Sequence, residues 1–383
     1  MKPNQFLIYL LLFCAFAFFF ELGRGDIESD NEGQRAAPAA EMLRSGDYVI
    51  PTINGRDYLA KPPLIYWAIA ATYKATGVIS PLTARIPSAL SGAVLIFALY
   101  LIVRKQMGEM QGRWAALGLL ATPFLLDHAR QAELDTSLAL AIFLSIYLWW
   151  LSTHTERAGR QTRLLLLSGL CFGAAILLKG PVPFLFFLAA IPARFLENYD
   201  GKAGLFKKGF ILTAAAFVIE LAFKGSALLL HTQSTWLTFP YALLLAYLGW
   251  FFLAWRVGPE RRARVFGMGV LVLLIGMAVA APWGVAVLMD KGWPYISNLL
   301  NEQTVERTHI ASSINSGSPF FFLSRILVLL APWAFLFPLH FTSAAWKEGE
   351  PLYRFAVSAG WFSILVFSLI AGKESEYILP ATA

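Results

Sequence analysis

The chain has 383 residues, of which 57% are hydrophobic and 14% charged, with a mean hydropathy of +0.60. Soluble domains carry about 25% charged residues, so this composition excludes an ordinary soluble fold. It points to an integral membrane protein built from helices rather than a barrel. The formal net charge of +7 would suit nucleic acid, but the placement of the cations assigns it to membrane topology, and no nucleic-acid partner is expected.

The N-terminus opens with Lys2 and an apolar run over Phe6–Phe20. It resembles the core of a signal peptide and is short for a span. No small-residue cleavage site precedes Glu21, which favours a retained first span. Further apolar segments lie near 84–103, 114–127, 134–151, 164–178, 181–196, 209–230, 236–255, 265–288, 320–341 and 354–371. With the first at 5–22 they predict an all-α polytopic membrane protein of about 11 transmembrane helices, organised as one domain over 1–383. Cys14 and Cys171 both fall in apolar runs and read as packing residues, with no disulfide framework.

Placing the N-terminus inside leaves Arg104, Lys105, Arg113, Arg157, Arg160, Arg163, Arg194, Lys202, Lys207, Lys208, Arg256, Arg261, Arg262, Arg264, Lys347 and Arg354 in short inner loops. That is the pattern of the positive-inside rule, and membrane lipids suffice as partners for these cations. The outer segments are then 23–83, the turn 128–133, the turn at Lys179–Gly180–Pro181, the loop 289–319 and the chain from Gly372 onward.

The first outer segment is the most polar part of the chain. Gln34–Arg44 reads as a short helix with Ala36, Ala40 and Leu43 on one face and Pro38 near its start. Gly46–Asp47 ends it, and Asn54–Gly55 signals a tight turn. Pro62–Pro63 opens a second helix through Tyr73, whose Tyr66, Trp67 and Tyr73 suit a helix lying at the headgroups.

The run NEGQRAAPAAEMLRSGDYVIPTINGRDYLAKPPLIYW resembles the first periplasmic loop of bacterial GT-C glycosyltransferases. The likeness is to the protein-mannosyltransferase-like group that includes the lipid A aminoarabinose transferases. Asn31–Glu32 stands where the family has an Asp-Glu pair. Glu41–Met42–Leu43, Gly46–Asp47–Tyr48 and Lys61–Pro62–Pro63 match its later loop elements. Matches continue in order with Arg85-Ile-Pro-Ser, Arg130 and Asp135 in ARQAELD, Leu178-Lys179-Gly180-Pro181, Ala281-Pro282-Trp283, the run Ser318–Phe322 followed by Pro332-Trp333, and Gly372-Lys373 with Tyr377-Ile378-Leu379-Pro380. Two departures stand out. Asn31 replaces the family's first loop acid, with Glu28 and Asp30 close by. Ala60 stands where metal-binding aminoarabinose transferases carry an acid, so no metal and no other cofactor is expected. Family members usually continue beyond the Y-x-L-P element with further spans and often a soluble domain, so a truncated or minimal member is expected.

The resemblance implies inverting transfer of a sugar from a polyprenyl-phosphate donor to an acceptor hydroxyl on a lipid, glycan or protein, at the periplasmic face of a bacterial inner membrane. That chemistry needs a carboxylate to take the hydroxyl proton, cations to stabilise the departing phosphate and an apolar groove for the prenyl tail. For the base the candidates are Glu32 and Asp30, and the competing reading is an acidic first turn of a helix. Asp135 is either a helix cap or a second carboxylate in the site. For the phosphate the candidates are Lys61, Lys179, Arg307, Lys373 and Tyr377, with Asn31, Arg85 and Arg130 in support; the competing reading for each cation is a side chain snorkelling to the headgroups. His128 and His309 read as loop residues. Glu220 and Lys224 read as a neutralised pair within the bundle. Two other functions fit the same pattern: a transporter or flippase of lipid-linked sugars, although no internal duplication is visible, and a non-catalytic lipid-phosphate-binding relative.

Overall fold

The computed structural model describes residues 3–27, 29–197, 262–300, 350–368 and 375–381, with isolated residues between 244 and 255 and between 321 and 335. The predicted segments at 209–230, 236–255 and 320–341, together with Arg307, His309, Lys373, Glu220 and Lys224, lie wholly or largely outside them. The chain divides into two units. The first comprises Met1–Pro183 with Val270–Leu299, and the second Phe184–Gly269 with Leu300–Thr382.

In the first unit, helix α1 (Pro3–Phe19) is followed by α2 (Asp30–Ser45), a two-stranded hairpin of β1 (Thr52–Ile53) and β2 (Arg56–Asp57), and α3 (Leu64–Thr76). Then come α4 (Pro81–Met107), α5 (Glu109–Leu120), α6 (Pro123–Ala129), α7 (Asp135–Thr153) and α8 (Ala158–Lys179). Helix α9 (Val182–Leu196) leads into the second unit, and α10 (Arg262–Leu300) returns to the first, broken at Gly292 where φ is 75°. The second unit also holds α11 (Pro351–Ser368) and a 3-10 helix at Ser375–Ala381.

Among the described residues, Pro81–Met107, Asp135–Thr153, Ala158–Lys179 and Arg262–Ser297 are long and apolar enough to cross a membrane, while Pro3–Phe19 and Val182–Leu196 are shorter apolar helices. Three expectations need correction. The span expected at 114–127 is two short helices, because Pro123 cannot continue α5 and instead opens α6. His128, expected in a turn, therefore sits on α6. The loop expected from 289 is helical to Leu300 apart from the Gly292 break. Tyr66 and Tyr73 are 0% and 1% exposed, so they are core residues rather than headgroup aromatics. With Ile69 and Ala70 they form an i, i+3, i+4, i+7 stripe facing protein.

Helix α4 starts on Ser80, whose hydroxyl accepts from the Thr83 amide while Thr83 answers to the Ser80 amide. Helices α7 and α8 are antiparallel partners, joined at mid-height by reciprocal bonds: Ser145 Oγ donates to the Ser168 carbonyl at 2.9 Å and Ser168 Oγ to the Ser145 carbonyl at 2.7 Å. Gly169 and Gly173 let α10 approach α8 closely; a Cβ on Gly173 would lie 2.5 Å from Val279 Cβ. At the end of α4 that carries Arg104, Glu109 binds Arg104 at 2.7 Å, Arg113 at 2.9 Å and the Tyr100 hydroxyl at 2.9 Å. This cluster fixes the α4–α5 turn.

The hairpin is a built element. Asn54 and Gly55 take φ of 53° and 72°, the conformation a two-residue turn demands of its central pair. The Glu41 carboxylate on α2 accepts from Thr52 Oγ1 at 2.5 Å, the Asn54 amide at 2.6 Å and the Gly55 amide at 3.3 Å. These bonds hold its carboxyl below the usual range, the Thr52 bond being the largest cause. Ile50 and Leu59 pack against Val287 of α10, Trp283 Nε1 donates to the Val49 carbonyl at 2.9 Å, and Lys291 binds Asp57 at 2.6 Å.

Candidate functional site

Buried ionic groups collect where α1 ends and α4 and α7 begin. A charge costs several kcal/mol to bury unless it is paired, so a cluster of them in so apolar a bundle marks a place the sequence has committed to.

The short segment Arg130–Asp135 is the centre of this cluster. Its Ala132 amide donates to Glu32 Oε1 at 2.7 Å. Glu32, 4% exposed, also takes a forked pair from Arg85: Nε to Oε1 at 2.8 Å and Nη2 to Oε2 at 2.9 Å. The remaining Arg85 donors reach the carbonyls of Leu22 at 3.0 Å, Arg24 at 3.1 Å and Asp26 at 3.1 Å. The guanidinium has five N–H groups in a fixed fork, and here all are used. Arg85 thus shapes the chain leaving α1 and locks the start of α2 onto the start of α4.

Asp135, at the first turn of α7, binds Lys179 at the last turn of α8 at 2.5 Å, with side chains 10% and 7% exposed. The antiparallel pairing of α7 and α8 brings these two residues, 44 apart in sequence, to one level. Between the two ion pairs, Glu133 Oε2 meets His128 Nδ1 at 2.7 Å, and Ser88 Oγ donates to the Glu133 carbonyl at 2.5 Å. Arg130 donates to the carbonyls of Ala17 and Phe20, each at 2.8 Å. Those carbonyls lie at the end of α1, where helix carbonyls lack intrahelical partners, so Arg130 caps α1.

The structure therefore brings Glu32, Arg85, Arg130, Asp135 and Lys179 to one end of the first unit. Asp30 and Asn31 sit on the exposed face of the first turn of α2. Lys61 is half-buried at the bend just before α3. Tyr377 belongs to the second unit, 9% exposed, its ring 6.3 Å from that of Phe367. The pairing of His128 with Glu133 was not expected from sequence; the only signal was their five-residue spacing across a predicted turn. The position of Arg35 was also missed. It lies on the buried face of α2 with Ala36, Ala39 and Ala40, and an arginine among alanines at that period was its signal. Beside it, burial pushes the Tyr66 hydroxyl up to about 12. Among the described residues, no three His, Cys, Asp or Glu side chains are grouped to hold a metal.

Residues 60–224 match the family profile described as dolichyl-phosphate-mannose-protein mannosyltransferase. An uncharacterised protein of Aquifex aeolicus is 25% identical over 95% of this chain and 59% of its own length. The undecaprenyl phosphate-alpha-4-amino-4-deoxy-L-arabinose arabinosyl transferase of Shewanella sediminis is 22% identical over 97% of this chain and 57% of its own. The chain thus spans less than two thirds of these relatives. The crystal structure of ArnT from Cupriavidus metallidurans bound to undecaprenyl phosphate aligns with a TM-score of 0.70 at 21% identity, covering 100% of this chain and 58% of that one. The fold is shared at that level, and the sequence matches run the length of the chain. The chain is similar in sequence and fold to the GT-C, protein-mannosyltransferase-like glycosyltransferases.

Proposed function

We propose that the chain acts in the transfer of a sugar from a polyprenyl-phosphate donor to an acceptor hydroxyl, with inversion at the anomeric carbon. The observation that carries this reading is the set of buried ion pairs, Glu32–Arg85 and Asp135–Lys179, at one end of an apolar bundle. It is supported by a fold shared with a protein crystallised with undecaprenyl phosphate.

In this reading the acceptor oxygen forms a bond to the anomeric carbon as the bond from that carbon to the phosphate oxygen breaks. The hydroxyl proton passes to a carboxylate, and the prenyl phosphate leaves with the bonding electron pair. The Glu32 oxygens already accept two guanidinium N–H groups and a backbone amide, so the side chain is engaged in holding the fold. Asp30, exposed one turn-edge away on α2, is the better base, and Glu32 with Arg85 positions the helix that carries it. Lys61 is the proposed partner of the phosphate from the first unit; Arg307, Lys373 and Tyr377 are candidates by resemblance to the family's motifs alone. Asp135 keeps Lys179 within the bundle instead of letting it extend to the bilayer surface. A lipid phosphate arriving there would compete with Asp135 for the ammonium. Ala60 supplies no ligand beside Lys61, so the reading gives a divalent metal no role.

The orientation is supported by charge. Arg104, Lys105 and Arg113 gather at the opposite ends of α4 and α5 from the ion-pair cluster, and Arg157, Arg160 and Arg163 at the start of α8. By the positive-inside rule the cluster then faces the periplasm across a bacterial inner membrane. The test is binding of undecaprenyl phosphate and of undecaprenol by the purified protein. The reading expects a preference for the phosphate that Lys61→Ala and Lys179→Met reduce. Equal affinity of the wild type for the two lipids refutes it.

A further inference from the structure

Arg35 is 7% exposed on α2, and its surroundings do not neutralise it. Its natural partner on a helix would be Glu32, three residues earlier, but that carboxylate is taken by Arg85 and by the Ala132 amide. The Arg35 guanidinium has no carboxylate partner among the described residues. Its Nη1 donates to the carbonyl of the adjacent Gln34 at 3.2 Å, and the Tyr66 hydroxyl lies close enough to interact with it. A buried guanidinium held by neutral groups alone lacks the counter-charge that buried cations ordinarily have.

The groups around it are donors and aromatic rings. Tyr66 of α3 is 0% exposed, and its hydroxyl interacts with the Arg35 guanidinium. Tyr58 donates its own hydroxyl to Gln34 Oε1 at 2.6 Å. A protonated phenol and a guanidinium side by side offer several N–H and O–H groups and no negative charge. An oxyanion is the ligand this combination fits, and a guanidinium suits a phosphate in particular because its fork matches two phosphate oxygens.

We propose that Arg35, with the Tyr66 hydroxyl, is an anion-binding residue pair for a phosphate group of a substrate. The inference rests on the lipid-phosphate reading above and adds residues that neither the named site candidates nor the ion-pair cluster contain. The phosphate is either that of the prenyl donor or one on the acceptor; the chemistry is the same and the assay separates them.

The experiment measures binding of farnesyl phosphate, farnesol and glucosamine 1-phosphate to the detergent-purified full chain, for the wild type, Arg35→Lys, Arg35→Met and Tyr66→Phe. The expected result is that Arg35→Met loses at least about tenfold in affinity for a phosphate ligand, with Arg35→Lys intermediate and farnesol binding unchanged. Tyr66→Phe, which keeps the ring and removes only the hydroxyl, weakens the same ligand by a smaller factor. Loss confined to farnesyl phosphate assigns the donor, and loss confined to glucosamine 1-phosphate assigns the acceptor; both support the pair. If the wild type prefers phosphate ligands and the variants keep that preference undiminished, Arg35 is a structural residue and the inference is overturned. If the wild type itself does not distinguish farnesyl phosphate from farnesol, the lipid-phosphate reading fails with it. A drop in melting temperature with an unchanged phosphate-to-alcohol ratio also overturns the proposal.

Discussion

Replacing Glu32 by Gln separates positioning from proton transfer. Glu32 and Arg85 have side chains 5% and 10% exposed, so water cannot replace what the substitution removes. Gln keeps the shape and one carbonyl oxygen for the Ala132 amide, but leaves the Arg85 guanidinium without its anion. Removing one partner of a buried pair costs about 3–5 kcal/mol. The retained oxygen and the three carbonyls still held by Arg85 place the expected loss near the lower end, at about 3 kcal/mol. In a chain this long, each kcal/mol moves the melting midpoint by about 2 °C, so Glu32→Gln lowers it by about 6 °C. Tryptophan fluorescence during heating of the detergent-solubilised protein reads this directly. The Glu32→Gln/Arg85→Gln double variant should lose less than the sum of the single losses, by about 1–3 kcal/mol. Asp30→Asn, on the exposed face of the same helix, should leave the midpoint where it is. A Glu32→Gln midpoint within about 1 °C of wild type would contradict the positioning role.

Gly173→Leu drives a side chain into Val279 of α10, where even a Cβ would lie 2.5 Å from Val279 Cβ; it should cost about 1–3 kcal/mol, seen as a lower melting midpoint. The Glu41 carboxyl is depressed in the fold, so its contribution is fully present above the unfolded value near 4.5 and is lost as pH falls through the folded value. Protease nicking at Asn54–Gly55 should therefore rise below about pH 4.5, and Glu41→Gln should show that nicking at neutral pH. Asp135→Asn strands the Lys179 ammonium and Lys179→Met strands the Asp135 carboxylate. Each should lower the melting midpoint by several degrees, and the double variant should recover part of the loss.

The spans that the sequence marked best are those long enough to show composition: α4, α7, α8 and α10 overlie the expected apolar segments and extend past their ends. The span at 114–127 was misread because an apolar run says nothing of continuity, and Pro123 interrupts this one. Tyr66 and Tyr73 were misplaced for a related reason, since an amphipathic aromatic suits a headgroup and a protein core equally well until its neighbours are known. The Gly46 stop of α2 was legible because turn chemistry is local; the start expected at Gln34 lies four residues past Asp30, where the helix begins without a side-chain cap. The ion pairs were not. Glu32 and Arg85 are 53 residues apart, and Asp135 and Lys179 are 44 apart. Each residue could be singled out by its chemistry, but only helix packing decides which acid faces which base. Arg130 shows the same limit: its charge was visible, its use as a cap for the end of α1 was not.

Sugar transfer itself is read by supplying the purified chain in lipid vesicles with radiolabelled polyprenyl-phosphate sugars and an acceptor extract. The expected result is transfer that Asp30→Asn abolishes without lowering the melting midpoint. Transfer that survives Asp30→Asn, or no transfer with any polyprenyl-phosphate sugar by a folded wild type that binds undecaprenyl phosphate, would contradict it.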